Sequence, residues 1–230
     1  MGTDIEVLGA PCLPGPLVEQ VRSLFDRVES RLSRFRMGSE LSLLNRSADS
    51  PFRASALLRD VLRDALEAAR STGGLFDPTV LEAVEASGYR RSFDELNGVS
   101  TRETPEGGAD YRRVEILDDG RVVLHDGVRV DLGGFAKGWT VDAAADLMKG
   151  AGSWVVNAGG DLRAAGPGPD GEGWLVGIED PWVPGADIAV IRVRDCAVAT
   201  SSVGRRRWLT PGGWAHHLID PRTGAPAATG

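Results

Sequence analysis

Two of the three histidines in the chain lie side by side near its C-terminal end, at His216 and His217, and Asp220 follows close behind. Histidine is the side chain best suited to accept a proton near neutral pH. Adjacent histidines are more often a surface feature. Here the apolar residues Leu218 and Ile219 indicate the end of a buried strand, and Asp220-Pro221 turns the chain directly afterwards. This segment is therefore a candidate for general-base chemistry.

Two glycine-rich turns are candidates for binding phosphate. The segment from Asp131 to Gly138 (DLGGFAKG) lies between a predicted strand and a predicted helix N-terminus, whose partial positive charge favours anions. Glycine lets the backbone N–H groups approach a phosphate closely, and Lys137 adds a full charge. The segment from Asn157 to Asp161 (NAGGD) repeats two glycines beside a carboxylate. Alone, each is more simply explained as a tight turn. Together they suggest a place where magnesium and phosphate oxygens meet.

Helical patterns dominate the first part of the chain. Apolar residues at spacings of three and four predict one helix, and a second runs from about Ala56 to Arg70, where Gly73-Gly74 stops it. Asp77 and Pro78 predict the N-cap and first residue of a third helix. The apolar stripe of the first helix consists of Leu17, Val21, Leu24, Phe25, Val28, Leu32 and Phe35.

Strand patterns dominate the rest. From Arg113 the apolar period changes to two, which predicts a meander of three short antiparallel strands, and a helix from Phe135 to Lys149 follows. The predicted strands of the meander are 114–116, 122–124 and 128–130, and later strand-like runs are 154–156, 174–178, 188–193 and 197–200. Helices followed by strands favour an α+β fold over an alternating parallel sheet.

The composition disfavours several classes of protein. The 26 basic and 33 acidic residues give a net charge of −7, and the basic residues are spread along the chain, so a nucleic-acid partner is not expected. No apolar run approaches the roughly 18 to 20 residues of a membrane helix, and no leader pattern is present. We expect a cytoplasmic protein as the sequence stands; membrane association or export stays open if the true start lies upstream. Cys12 and Cys196 lack metal or disulfide spacing, which predicts a packing role.

Taken in order, these segments resemble the ApbE family of FAD:protein FMN transferases along nearly the whole chain. Any one motif would be weak, but seven in order are highly specific. They are Met1 to Thr3, Ser39 to Asn45, Gly73 to Thr79, Asp131 to Gly138, Asn157 to Asp161, Ala197 to Ser201 and His217 to Gly224. The resemblance implies one α+β domain over 1–230, helix-rich to about 110 and strand-rich from about 111. N-terminal helices would pack on a mostly antiparallel or mixed sheet, with an FAD cleft between two subdomains.

The resemblance also implies an activity. FMN would be transferred from FAD to a threonine or serine hydroxyl of an acceptor protein, AMP would be released, and Mg²⁺ would bridge the diphosphate. Attack by water instead would make the chain an FAD pyrophosphatase that gives FMN and AMP. His217 matches the general base and Asp220 belongs to the same motif, while the Gly134 carbonyl matches a metal ligand. The implied FAD contacts are Met1, Phe35, Leu75, Phe76, Asp77, Asp131, Lys137 and Ile219. Phe35 stands where the family often has tyrosine, so ring packing is retained but a hydroxyl contact is not.

The resemblance stops at Gly230, before a further strand and helix in which the family carries an Asp and a Thr that complete the metal shell. Magnesium held without carboxylates would be bound loosely. Three interpretations stay open: a piece of a longer protein, which we favour; ligands supplied by another chain; or a catalytically silent flavin-binding relative. The last is disfavoured because the candidate polar residues are all still suited to chemistry. They are Asp131, Lys137, Asp161, His217 and Asp220.

Overall fold

The computed structural model of the protein describes residues 2–96, 103, 105 and 108–228. Its α-helices are Gly15–Leu32 (α1), Glu40–Asn45 (α2), Ala56–Ser71 (α3), Leu81–Ala86 (α4) and Ala136–Leu147 (α5). The first nine strands are Ile5–Ala10 (β1), Phe52–Arg53 (β2), Val114–Ile116 (β3), Arg121–Leu124 (β4), Ser153–Ala158 (β5), Asp161–Ala165 (β6), Trp174–Glu179 (β7), Asp187–Val193 (β8) and Cys196–Val198 (β9). Four short strands follow: Arg207–Thr210 (β10), Gly213–His216 (β11), Ile219–Asp220 (β12) and Ala225–Pro226 (β13). The predicted α+β class is confirmed.

The described residues fall into two compact units. The first unit takes its residues from Thr3–Arg27 and Lys137–Ser201, and the second from Val28–Ala136 and Ser202–Gly230, together with Gly2. Within the described ranges, all pairings between the strands named above are antiparallel. No helix in those ranges combines the length and apolarity that a bilayer crossing requires.

The first unit is built on a four-stranded sheet in the order β1-β5-β6-β9, beside the β7–β8 hairpin. Strand β5 is buried along nearly its whole length, which explains its continuous apolar run. Strands β5 and β6 are joined by Gly159 and Gly160, with φ of +63° and +98°. Positive φ at both positions of a two-residue hairpin loop is what glycine adopts at least cost. The second predicted glycine turn is therefore a tight hairpin loop.

The second unit contains α2 to α4 and the sheet β2-β4-β3. Helix α3 begins at the N-cap Ser55, whose hydroxyl accepts the N–H of Leu58 at 3.3 Å. The carboxylate of Glu40 in turn accepts the N–H and hydroxyl of Ser55 at 2.5 and 2.6 Å, which ties α2 to the start of α3. The apolar face of α3 is fully or nearly fully buried, as its spacing predicted. Its buried residues are Leu58, Val61, Leu62, Ala65, Leu66 and Ala69.

The predicted third strand of the meander, 128–130, is wrong: residue Arg129 makes only an isolated parallel bridge with Val80. The third strand of this sheet is β2, paired with β4. Asp126, with φ +52°, turns the chain away after β4. The amide side chain of Asn45 then bonds both backbone groups of Val130, at 2.7 and 2.8 Å. A side chain thus occupies the hydrogen-bonding groups that a neighbouring strand would need.

The predicted packing role of the two cysteines is also wrong, because Cys12 and Cys196 are both exposed and free. Cys12 lies in the connection between β1 and α1, and Cys196 begins β9 at the end of its sheet order. Residues at such positions have few neighbours to cover them.

Candidate functional site

The turn that follows α3 is built on the carboxylate of Asp77. Gly73 and Gly74 end the helix with φ of +61° and +81°. Asp77 Oδ1 then accepts the N–H and the hydroxyl of Thr79 at 2.8 and 2.6 Å, while Oδ2 accepts the N–H of Tyr111 at 3.0 Å. Asp77 is only 5% exposed. In the structure its side chain therefore holds the turn.

Asp77 does not cap a helix, so the predicted helix start at Asp77-Pro78 is wrong. Helix α4 begins at Leu81, with Val80 at the N-cap and no capping side-chain bond. The reason is that an Asp side chain that bonds the N–H two residues on stabilises a turn instead of helical backbone.

The glycine loop that begins at Asp131 lies against this turn. The N–H of Asp131 donates to the carbonyl of Pro78 at 2.8 Å, which brings together two motifs that were predicted to bind FAD. Asp131 Oδ1 accepts the N–H of Gly133 at 2.8 Å and folds the loop back on its first residue. Gly133 and Gly134 are exposed, and a Cβ added at Gly134 would meet no atom within 4 Å. The outer side of the loop is therefore open space next to backbone.

Aromatic stacking also joins the turn to the loop. The rings of Phe76 and Phe135 lie 5.6 Å apart between centroids, with their planes 28° from parallel. Leu75, the neighbour of Phe76, is 64% exposed although it is apolar. An exposed leucine and partly exposed aromatic rings together form an apolar surface that a flat, apolar ligand group could cover.

Arg34 is the centre of a cluster that the sequence did not indicate. Its guanidinium carbon lies 4.1 Å from the ring centroid of Phe35 and 4.6 Å from that of Tyr89. Its Nη2 donates to the Tyr89 carbonyl at 2.8 Å, and its Nε lies 3.4 Å from Asp131 Oδ2. The charge of Arg34 is thus held by a carboxylate, a carbonyl and two ring faces. Phe35, predicted to contact FAD, is 40% exposed at the edge of this cluster.

Tyr89 connects the cluster to the C-terminal strands. Its ring lies 5.1 Å from that of Trp208 in β10, and Trp208 Nε1 donates to the carbonyl of Ser87 at 2.8 Å. Burial raises the pKa of the Tyr89 hydroxyl, and the positive charges of Arg206 and Arg34 oppose that rise. The hydroxyl is therefore neutral at physiological pH and has cationic groups near it.

His217 lies next to the same region. Its Nδ1 is 3.4 Å from the carbonyl oxygen of Arg206. A carbonyl only accepts, so in the neutral ring Nδ1 carries the hydrogen and Nε2 carries the lone pair. Ile219, two residues on, is partly buried against the apolar cluster that contains Tyr89 and Trp208. The predicted strand end is present as β12, but it is half-buried.

Asp220 is held by an arginine two residues further along the chain. Its carboxylate accepts Nε and Nη2 of Arg222 at 2.9 and 2.7 Å, and also the N–H of Arg222 at 3.0 Å. These bonds lower the pKa of Asp220 from its ordinary 3.8 to about 2. At neutral pH Asp220 is therefore a fixed carboxylate that shapes the turn after β12.

The neighbouring His216 has a different environment. Its Nε2 lies 3.1 Å from the carbonyl of Ala227, while its Nδ1 is buried and has no hydrogen-bond partner among the described residues. Bonding to a carbonyl requires hydrogen on Nε2, so Nδ1 is an enclosed acceptor. The two adjacent histidines thus present opposite nitrogens to the backbone.

Lys137 and the second glycine turn belong to the first unit. Lys137 Nζ lies 2.6 Å from Asp161 Oδ2, and both side chains are about one-fifth exposed. Asn157 Oδ1 accepts the N–H of Gly160 at 2.9 Å, which closes the turn beside Asp161. The ammonium group that was predicted to add charge for a phosphate is therefore paired with a carboxylate in this structure.

In the second unit, the structure brings together most of the residues predicted for FAD. The turn with Leu75, Phe76 and Asp77 contacts the Asp131 loop, and Phe35 joins them through Arg34. His217 and Ile219 connect to the same cluster through Arg206, Tyr89 and Trp208, whereas the carboxylate of Asp220 is bound to Arg222. Met1 lies outside the described residues. Arg34 and Tyr89 were missed; the only sequence signal was that Arg34 directly precedes Phe35.

The described residues offer only part of a magnesium site. Residues 2–96, 103, 105 and 108–228 contain no group of three or more His, Cys, Asp or Glu side chains placed to hold a metal. The carboxylates of Asp131 and Asp161 are engaged by Arg34 and Lys137. The exposed backbone at Gly134 is what remains of the predicted metal contact. Side chains of the described part do not by themselves complete a magnesium shell.

Comparisons with known proteins point to the same family over nearly the whole chain. A sequence model described as the ApbE family matches residues 1–230. The FAD:protein FMN transferase of Vibrio cholerae is 32% identical over 217 residues, which cover 91% of this chain and 65% of the relative. That of Treponema pallidum is 32% identical over 237 residues, covering 92% of this chain and 64% of the relative. The chain thus spans 64 to 65% of the length of these curated relatives.

Solved structures agree with the fold. The ApbE protein of Thermotoga maritima has a TM-score of 0.83 at 27% identity, covering 98% of this chain and 75% of that one. The flavin transferase ApbE of Vibrio cholerae has a TM-score of 0.80 at 27% identity, covering 100% of this chain and 76% of that one. The family's sequence model spans all the residues, and the arrangement of helices and strands matches its solved members, so this chain belongs to the ApbE family.

Proposed function

We propose that this protein transfers FMN from FAD to a threonine or serine hydroxyl of an acceptor protein and releases AMP. The observation that carries the proposal is the family match over residues 1–230, together with relatives named FAD:protein FMN transferase. The geometry of the second unit supports it, since two motifs far apart in sequence meet there beside open backbone and partly exposed apolar rings.

FAD is the substrate, and the described residues suit its different parts. The exposed faces of Leu75, Phe76 and Phe35 can cover flat rings by apolar contact. Exposed backbone at Gly134 lets a diphosphate approach closely, because a Cβ placed there would meet no atom within 4 Å. Arg34 keeps Asp131 in place beneath this loop.

The reaction needs a base and stabilisation of charge on oxygen. In the proposed step the acceptor hydroxyl oxygen forms a bond to the FMN phosphorus. The bond from that phosphorus to the bridging oxygen breaks, and AMP leaves with the oxygen and the electron pair. Nε2 of His217 takes the hydroxyl proton, since Nδ1 faces the Arg206 carbonyl. Backbone N–H groups near the diphosphate would offset charge that develops on its oxygens.

We further propose that transfer depends on Mg²⁺. A bound magnesium ion would neutralise the diphosphate, with the Gly134 carbonyl as one ligand from this chain. The described residues do not complete the shell, so further oxygens would come from FAD, water or protein groups outside the described part. The roles given to Arg34, Asp131 and His217 do not depend on this ion.

The test supplies the protein with FAD, Mg²⁺ and an acceptor domain that carries one target threonine, followed by mass spectrometry of the acceptor. We expect addition of the FMN mass, and none when that threonine is changed to alanine. Free FMN and AMP with an unmodified acceptor would replace the proposal with FAD hydrolysis. Binding of FAD without either product would identify a catalytically silent relative. Thermal stabilisation by FAD, but not by NAD or ATP, checks the substrate independently.

A further inference from the structure

Three arginines line one pocket of the second unit, apart from the residues discussed above. The pocket has a volume of about 390 Å³, and its lining residues are Arg53, Ala54, Arg59, Asp119, Gly120 and Arg121. It is formed where the β2–β4 pair meets the start of α3. A volume in this range is enough for a small ligand. None of the lining residues belongs to the segments predicted to bind FAD.

The charges in this pocket are not balanced by the protein. Arg121 is paired with Asp119, with Nη2 at 2.7 Å and Nε at 2.8 Å from Oδ2. The side chains of Arg53 and Arg59, by contrast, make no hydrogen bond or ion pair within the described part of the chain. Asp119 is the single acidic residue of the lining, so the pocket carries a net charge of about +2 in a chain whose net charge is −7.

The strand register places two of these charges directly opposite each other. Arg53 of β2 pairs with Arg121 of β4 in an antiparallel ladder, and residues opposite in such a ladder project from the same face. Like charges at opposed positions destabilise a sheet. The ion pair between Asp119 and Arg121 reduces the repulsion between Arg53 and Arg121. An anion bound between the two arginines would offset the repulsion that is left.

The third arginine, Arg59, lies close to a glycine turn. A Cβ added at Gly120 would lie 2.5 Å from Nη1 of Arg59 and 3.1 Å from its Cζ, and φ at Gly120 is +80°. Glycine therefore permits both the turn between β3 and β4 and the close approach of the Arg59 guanidinium group. Arg59 lies in the first turns of α3 and is half-buried, so its head group stays near the pocket.

We propose that this arginine pocket binds a small phosphate-bearing dianion. Two unpaired guanidinium groups match a phosphate group, which carries a charge of about −1.5 to −2 at pH 7. Each planar guanidinium can also donate two parallel hydrogen bonds to phosphate oxygens. Among the described residues, the lining includes no aromatic ring for a base or flavin, so recognition rests on the phosphate group itself.

The test measures binding of inorganic phosphate and of pyrophosphate by calorimetry to the wild-type protein and to Arg53→Gln and Arg59→Gln. The matched control is Arg63→Gln, which removes the same charge from α3 at an exposed residue paired with Asp60. We expect saturable binding to the wild type and the control, and at least tenfold weaker binding to the two pocket variants. Sodium chloride at the same ionic strength should not displace bound phosphate, because a specific site is affected less than general screening would predict.

Several results would overturn the proposal. Equal phosphate affinity in all four proteins would place the anion elsewhere, and no saturable binding to the wild type would remove the site. Equal binding of succinate, a dicarboxylate, would contradict the assignment to phosphate. Without ligand, Arg53→Gln should melt at the same temperature as the wild type or higher; a lower value would contradict the repulsion between Arg53 and Arg121. FMN transfer is not the readout, so this test and that of the proposed function can fail separately.

Discussion

The Nε atom of Arg34 lies 3.4 Å from Oδ2 of Asp131, and the two side chains are only 6% and 14% exposed. This ion pair joins the segment between α1 and α2 to the first residue of the glycine loop. Because the pair is largely enclosed, removal of one partner leaves the other charge without adequate solvation. The loop that is proposed to receive the FAD diphosphate therefore depends on an arginine that no motif marks.

Arg34→Gln should lower the free energy of unfolding by about 3–5 kcal/mol, the usual loss when one partner of a buried pair is removed. It should also weaken FAD binding, because Asp131 would no longer be held beneath its loop. Arg31→Gln is the control, since Arg31 pairs with Glu40 at 3.3 Å and is about half exposed. There we expect a change of about 1 kcal/mol or less. Urea unfolding and FAD titration measure both effects, and equal losses in the two variants would contradict the argument.

Gly159→Ala should destabilise the first unit. A Cβ at this position would clash with Oγ1 of Thr3, and φ is +63°. The left-handed backbone alone costs about 1–2 kcal/mol for a residue with a Cβ, and the clash adds to it. Gly138→Ala is the matched control, because nothing lies within 4 Å and the residue is in a helix, where alanine is favoured by up to about 1 kcal/mol. Thermal melting that ranks the two variants in the opposite order would reject this reading of the turn.

His217→Ala should retain FAD affinity and lose transfer, since Nε2 of His217 is the proposed proton acceptor. His216→Ala provides the comparison. Nε2 of His216 is bonded to the carbonyl of Ala227, and its Nδ1 is buried without a hydrogen-bond partner among the described residues. We expect His216→Ala to change stability more than the transfer rate at saturating FAD. Transfer rates and FAD dissociation constants separate the two roles. Parallel loss of FAD binding and transfer in His217→Ala would mean that His217 is structural.

The Asp220 carboxyl should titrate at about pH 2, because Arg222 stabilises its charged form. Arg222→Gln should raise this pKa toward the unfolded value of about 3.9. Since the folded pKa is the lower one, the pair stabilises the fold above about pH 3.9, and this contribution is lost as the pH falls through about 2. Carboxyl ¹³C NMR titration measures the shift. Arg112→Gln, which removes a partner of Asp110 instead, should leave Asp220 unchanged.

Chelation of divalent metal by EDTA should abolish FMN transfer, and added Mg²⁺ should restore it. The described side chains supply no complete metal shell, so the ion would be bound mainly together with FAD. Magnesium should therefore raise FAD affinity, and FAD should raise magnesium affinity by the same factor. Calorimetry in both orders of addition measures this coupling. Full transfer activity in EDTA would show that magnesium is not required.

Local patterns predicted the secondary structure where neighbours in sequence decide it. The stripe of α3 and its Gly73-Gly74 stop were correct because helix periodicity and left-handed glycine are local properties. The prediction failed at Asp77 and at 128–130. At Asp77 the side chain bonds the N–H groups of nearby Thr79 and of distant Tyr111, and at 128–130 the distant Asn45 bonds both backbone groups of Val130. A pattern of single residues does not contain these long-range partners.

The order of motifs along the chain was enough to identify the ApbE family and the α+β class, because motif residues and apolar periodicity are properties of the sequence itself and need no tertiary contacts. Tertiary structure decided which ionisable groups at the site are paired with each other. It paired Lys137 with Asp161, Asp131 with Arg34 and Asp220 with Arg222, although the sequence presents each as an available ionisable group. The physical reason is that ionisation and hydrogen bonding depend on which groups folding brings within a few ångströms, and two of these three pairs join residues more than twenty positions apart in the sequence.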